Sequence, residues 1–205
     1  MRFRTLLTAG ALLLAGAGPA LAQLPVHAAS QTPRAYRAYL ESRWPAAADA
    51  PVTPAQVGAM IGRYGPRRTV RLLWADGRAR NRWNRVASGI AHGNAAWLTL
   101  AARISPGTDA GTSDDFGAAV QDAVVTNAAG ALRLLRVLPM GAGGCDENGF
   151  ETPPEQAAAY YAAAIASVEA VTDPGLAAIK AQCLASLHTG QAALSGVPRE
   201  PREPA

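Results

Sequence analysis

Metal-binding side chains are scarce in this chain. Its histidines, His27, His92 and His188, lie far apart, and no two have the i, i+4 spacing of a helical zinc pair. Only two cysteines occur, Cys145 and Cys183, which excludes both a C-x-x-C redox pair and a four-cysteine zinc site. Neither a Walker loop nor a G-x-G-x-x-G turn after a strand is present, so no phosphate or dinucleotide cradle can be drawn. Ser88 lacks the G-x-S-x-G elbow and the strand that elbow needs. No segment alternates apolar and polar residues with β-branched enrichment, so no strand is expected. Lysine occurs once, at Lys180; arginine in its place, with abundant alanine, reflects GC-rich coding more than a nucleic-acid surface. The expectation is a protein with no catalytic set, no cofactor and no metal.

The N-terminus carries two arginines, an apolar run and Ala20-Leu21-Ala22. That is the pattern of a secretory signal peptide, residues 1–22, cleaved after Ala22. The apolar run is short for an anchor and no cysteine follows it, so a periplasmic or secreted protein without a stable membrane span is expected. Residues 23–31 read as a mobile leader and 32–195 as a single all-α domain. That domain divides into a repeat-like central part, 54–139, and a C-terminal helical pair, 140–195. Residues 196–205, GVPREPREPA, read as a disordered tail. Charge is uneven: residues 23–86 hold 11 arginines and 3 acids, and residues 87–205 hold 6 basic residues and 12 acids. The two halves either neutralise each other within the fold or present differently charged surfaces.

Helical spacing organises the rest. Thr32-Pro33 and Thr53-Pro54 each pair a capping residue with proline at the first helical position. Tyr36, Tyr39, Leu40 and Trp44 share one face of the first helix; Val57, Met60, Ile61 and Tyr64 form the apolar face of the second, broken at Gly65-Pro66. A short helix over 69–74 follows. The centre of the protein, 83–138, reads as four short amphipathic helices. Trp83, Val86 and Ile90 mark the first, ended at His92-Gly93-Asn94; Trp97, Leu100, Ala101 and Ile104 mark the second, stopped by Pro106-Gly107. Thr112 is placed to cap the third, whose buried face is Phe116, Ala119, Val120, Ala123 and Val124. Asn127 opens the fourth, with Leu132, Leu135 and Leu138 inside. A glycine-rich loop then leads to an alanine-rich helix from Pro154, bearing Tyr160 and Tyr161. Asp173-Pro174-Gly175 turns into a last helix with Ile179, Cys183 and Leu187. The expected fold is all-α, a bundle or short solenoid-like stack of helical hairpins, its C-terminal pair stapled by a Cys145–Cys183 disulfide.

Two charged features bear on function. Arg67, Arg68, Arg71, Arg78, Arg82 and Arg85 form the candidate ligand- or partner-binding face, because guanidinium forks match carboxylate and phosphate oxygens. The plain alternative is a solvated face over a buried Trp83. The acidic residues Asp109, Asp114 and Asp115 lack the ladder of an EF-hand, and helix capping accounts for them without a metal; Asp146, Glu147 and Glu151 form a looser set.

Ile90, Gly93, Trp97 and Leu98, followed by PGTDAGTSDD and NAAGALRLL, resemble a group of exported, all-helical proteobacterial proteins to which no activity is attached. QVGAMIGRYGPRRTVRLLW and NRWNRVASGI extend the likeness over 56–138. The resemblance implies a small helical envelope protein and carries over no site residue. The expected function is a non-catalytic interaction or scaffolding module that binds another envelope protein and no nucleic acid. An anion binder using the arginine face is the alternative, and an enzyme with a dispersed acid/base pair stands third.

Overall fold

The computed structural model describes residues 34–44, 52–75, 77–146 and 152–196, without the side chains of 34–35, 77–81 and 195–196. The signal peptide, leader and tail expected from the sequence lie outside these residues, as do His27, Glu147 and Glu151. Among the described residues there are nine α-helices and no strand. They are α1 (Arg34–Arg43), α2 (Pro54–Tyr64), α3 (Pro66–Trp74), α4 (Gly77–Ala91), α5 (Ala95–Ile104), α6 (Ala110–Thr126), α7 (Ala128–Leu135), α8 (Pro154–Glu169) and α9 (Ala177–Gly196). No helix among the described residues is long and apolar enough to cross a membrane. Consecutive helices pack on one another, α2 on α3, α3 on α4, α6 on α7 and α8 on α9.

Helix α6 is the hub, packed against α4, α7 and α8. Every residue from Phe116 to Val125 is buried, including Gln121 and Asp122. The sequence pattern marks one apolar face here, but the structure wraps the helix on all sides, as a helix with few polar residues all round requires. The start of α6 also differs from expectation. Asp109 is the N-cap and Thr112 sits one turn in, accepting from the Asp109 N–H at 2.8 Å and donating to Asp109 Oδ1 at 2.8 Å. A reciprocal pair of this kind satisfies the exposed first-turn groups from both ends, so neither residue caps alone.

The other helix ends follow local chemistry. Thr53 and Gln56 form a capping box at α2. Helix α4 ends with Gly93 at φ 67°, its N–H bonded to Ile90 O at 2.8 Å and the Asn94 N–H to Gly89 O at 3.1 Å. Asn94 Oδ1 then accepts from Ala96 and Trp97 N–H to start α5. Asn127 repeats the device at α7 through Gly130 N–H. The two corners are joined: Asn127 Nδ2 donates to Gly93 O at 2.8 Å and Thr126 Oγ1 to Ala91 O at 2.7 Å. A Cβ on Gly93 would lie 2.5 Å from Asn127 Cβ, so both its backbone angle and its lack of a side chain are needed.

Cys145 and Cys183 are joined, tying the turn Gly141–Cys145 to the middle of α9. Tyr160 Oη donates to Cys145 O at 2.6 Å, Tyr161 Oη to Asp146 Oδ1 at 2.7 Å, and the Gln121 amide to Asp146 O. The turn is therefore held by α6, α8 and α9 at once.

Candidate functional site

The corner between α2 and α3 is built from the sequence Arg63-Tyr64-Gly65-Pro66-Arg67-Arg68. Gly65 at φ 75° reverses the chain and Pro66 starts α3 at once. Behind the corner, Gly107 lies so close that a Cβ there would sit 2.4 Å from the Pro66 carbonyl carbon. Val57, Ile61, Val70 and Leu73 face inward. What remains outside is Arg63, Tyr64, Arg67, Arg68 and Arg71, all exposed. Tyr64, expected on the apolar face of α2, is 37% exposed. The guanidinium carbons of Arg63 and Arg68 lie 5.1 and 5.4 Å from its ring centroid, a cation–π cluster that keeps the phenol at the surface. No acidic residue occurs between Val52 and Ala75, and none of these four arginines has a carboxylate within 4 Å among the described residues.

The six arginines singled out in the sequence divide accordingly. Arg67, Arg68 and Arg71 lie exposed on α3. Arg82 turns inward and donates from Nη2 to Leu72 O at 3.1 Å, binding α4 to the end of α3. Arg85 is half-buried, and the side chain of Arg78 lies outside the described residues. Arg63 was legible only once the Gly65-Pro66 corner folded it back beside Arg68. The one ion pair between described residues is Arg133–Asp173, within the acidic back half.

The other concentration of chemistry is Asp122, buried in α6. Tyr36 Oη donates to its Oδ1 at 2.5 Å and Trp44 Nε1 to its Oδ2 at 2.6 Å, fastening α1 to the body. Arg43 lies over the Tyr39 and Trp44 rings, 5.7 and 5.6 Å from their centroids, and its guanidinium bonds Tyr39 Oη. Burial pushes the Asp122 carboxyl above its ordinary range, against the opposing pull of the Trp44 and Tyr36 donors and of Arg43 and His92. Burial also raises the Tyr36 phenol, followed by the charge of Asp122. Ser88 and His92 stand nearby without forming a nucleophilic set. His92 Nδ1 is 2.8 Å from the Ser88 carbonyl oxygen and 3.4 Å from Ser88 Oγ, and both Asp122 oxygens already accept, from Tyr36 and Trp44. The cleft beside Asp122 is about 10 Å³, room for one water. As built, Asp122 anchors α1.

That anchor has a pH signature. A folded-state value above the unfolded one means the folded protein holds the proton longer, so stability falls as pH rises from the unfolded carboxylate value through the raised folded value, and is level above it. Asp122→Asn should remove that slope. Urea midpoints of both proteins across the acid range test this, and parallel pH profiles would count against a buried, proton-holding Asp122.

Among the described residues no three His, Cys, Asp or Glu side chains converge as metal ligands. No protein-family model, no curated protein and no solved structure matches the chain.

Proposed function

We propose that this protein is a non-catalytic interaction module of the cell envelope, exported by its N-terminal signal, that docks an acidic segment of a partner protein on the α2–α3 corner. One observation carries the reading: Arg63 and Arg68 bracket the exposed Tyr64, with Arg67 and Arg71 alongside and no carboxylate among the described residues to neutralise them. Tyrosine and arginine supply a disproportionate share of interface energy. Stacking on the ring restrains two long side chains beforehand, which lowers the entropy lost on binding. A small-anion site, the alternative, would need the arginines to converge on a pocket. Neither the Asp122 cleft nor the groove between α5 and α7 is lined by any of them.

Cross-linking in the native periplasm followed by mass spectrometry tests the proposal. The wild type should capture one dominant partner, and the Arg63, Arg67, Arg68 and Arg71→Ala quadruple variant should lose it. The purified pair should bind at least about tenfold more weakly with the variant, and more weakly with rising salt. These side chains are exposed, so folding should be nearly unaffected, within about 0.5 kcal/mol per site. Equal capture by the quadruple variant, or capture of the protein by itself alone, would sink the assignment.

A further inference from the structure

Between α5 and α7 lies an open groove of about 290 Å³. That volume is near the lower end for small-molecule sites, enough for on the order of ten non-hydrogen atoms at protein packing density. Its apolar surface comes from Leu98, Ala102, Leu134 and Val137. Val137, at the mouth of the groove, is 63% exposed.

The polar residues lining it are unequal. Thr99 Oγ1 is committed to Ala95 O at 2.9 Å. Asn127 donates from Nδ2 to Gly93 O and accepts at Oδ1 from Gly130 N–H, so its amide is held against the corner. Arg133 is the only cation among the described residues lining the groove, and only its Nη2 is engaged, by Asp173 Oδ2 at 2.9 Å; the rest of the fork is unpartnered among the described residues. The pair is open to water, with side chains 57% and 38% exposed, so Asp173 holds Arg133 only weakly.

We propose that this groove binds a medium-chain aliphatic carboxylic acid, with the tail along Leu98, Ala102, Leu134 and Val137 and the carboxylate on Arg133. The assignment is independent of the α2–α3 corner. An alkyl chain asks nothing of Thr99 and Asn127, and its single carboxylate needs only the one lining cation, Arg133. Charge and apolar surface thus select the same class of ligand.

The test is a titration of the oxidised full-length protein with octanoate, followed by amide NMR shifts, with octan-1-ol and acetate as controls. Octanoate should shift amides of α5 and α7 saturably, and both controls should bind at least about tenfold more weakly, since each lacks one half of the match. Arg133→Gln should weaken octanoate roughly tenfold. Asp173→Asn breaks the same ion pair yet should leave binding unchanged or tighter, which separates a contact with ligand from a merely structural role. Ala102→Phe should fill the groove and abolish binding. Val137→Glu, at an exposed position that leaves packing intact, should do so by placing a like charge at the mouth. The proposal is overturned by the absence of saturable shifts up to ~10 mM octanoate. It is equally overturned by octan-1-ol binding as well as octanoate, by Asp173→Asn weakening binding as much as Arg133→Gln, or by Val137→Glu leaving it unchanged.

Discussion

Trp97→Ala should destabilise the protein by about 3–5 kcal/mol, toward the top of the range for a lost aromatic core residue. The reason is the surface the indole rests on. Trp97 is buried, and its ring lies against α4 at Gly89, where an added Cβ would come within 2.1 Å of Trp97 Cδ1. The ring therefore fills a notch whose floor is helix backbone. When a large side chain is removed between flexible neighbours, those neighbours collapse and recover part of the loss. A helix backbone held by its own hydrogen bonds has no such freedom, so the cavity stays open and its cost remains. Urea unfolding of the two proteins, with equal m-values, gives the difference directly. A change below about 1 kcal/mol would mean that the indole is not part of the core. Gly89→Ala probes the same notch from the other side, and overfilling it should also destabilise, by about 1–3 kcal/mol.

Replacing both cysteines by alanine should cost about 2–4 kcal/mol. The bridge spans 38 residues, for which the loss of loop entropy in the unfolded chain amounts to about 4 kcal/mol before native-state contributions. The Cys145 carbonyl keeps its tie to Tyr160 and the adjoining Asp146 carbonyl its tie to Gln121, so the folded state of the variant should stay in place and the loss should reflect the freed unfolded chain. Both sulfurs are fully buried, which adds a kinetic signature. Dithiothreitol should reduce the native protein slowly, and the rate should rise steeply once urea begins to open it. A double variant with an unchanged urea midpoint would show that the crosslink adds nothing to stability.

The helices were largely legible because their ends are local. Thr53-Pro54, Gly93-Asn94 and Asn127 each satisfy backbone groups within four residues of themselves, and the chain carries that information in a window a reader can scan. The cap of α6 is less legible because Asp109 and Thr112 share the task. The cysteine pair was legible for a different reason: two cysteines allow one pairing.

The candidate sites were less visible. Asp122 follows Gln121 inside an alanine- and valine-rich helix, where a polar pair ordinarily marks the solvent side. Its partners Tyr36 and Trp44 lie 86 and 78 residues earlier, and no local pattern connects them. Tyr64 falls on the apolar stripe of α2, yet the tight corner at Gly65 brings Arg63 and Arg68 onto its ring and holds it outside. Arg82 and Arg68 are both arginines on short basic helices, but one is turned onto the Leu72 carbonyl while the other faces water. Where helices begin and end follows from hydrogen bonds between near neighbours, and composition and spacing are enough to state it. That α6 is covered on all sides, which arginines are spent on packing, and where a groove opens between α5 and α7 depend on how distant helices share one core. Those outcomes are set by burial summed over the whole chain, and they exist only in the folded protein.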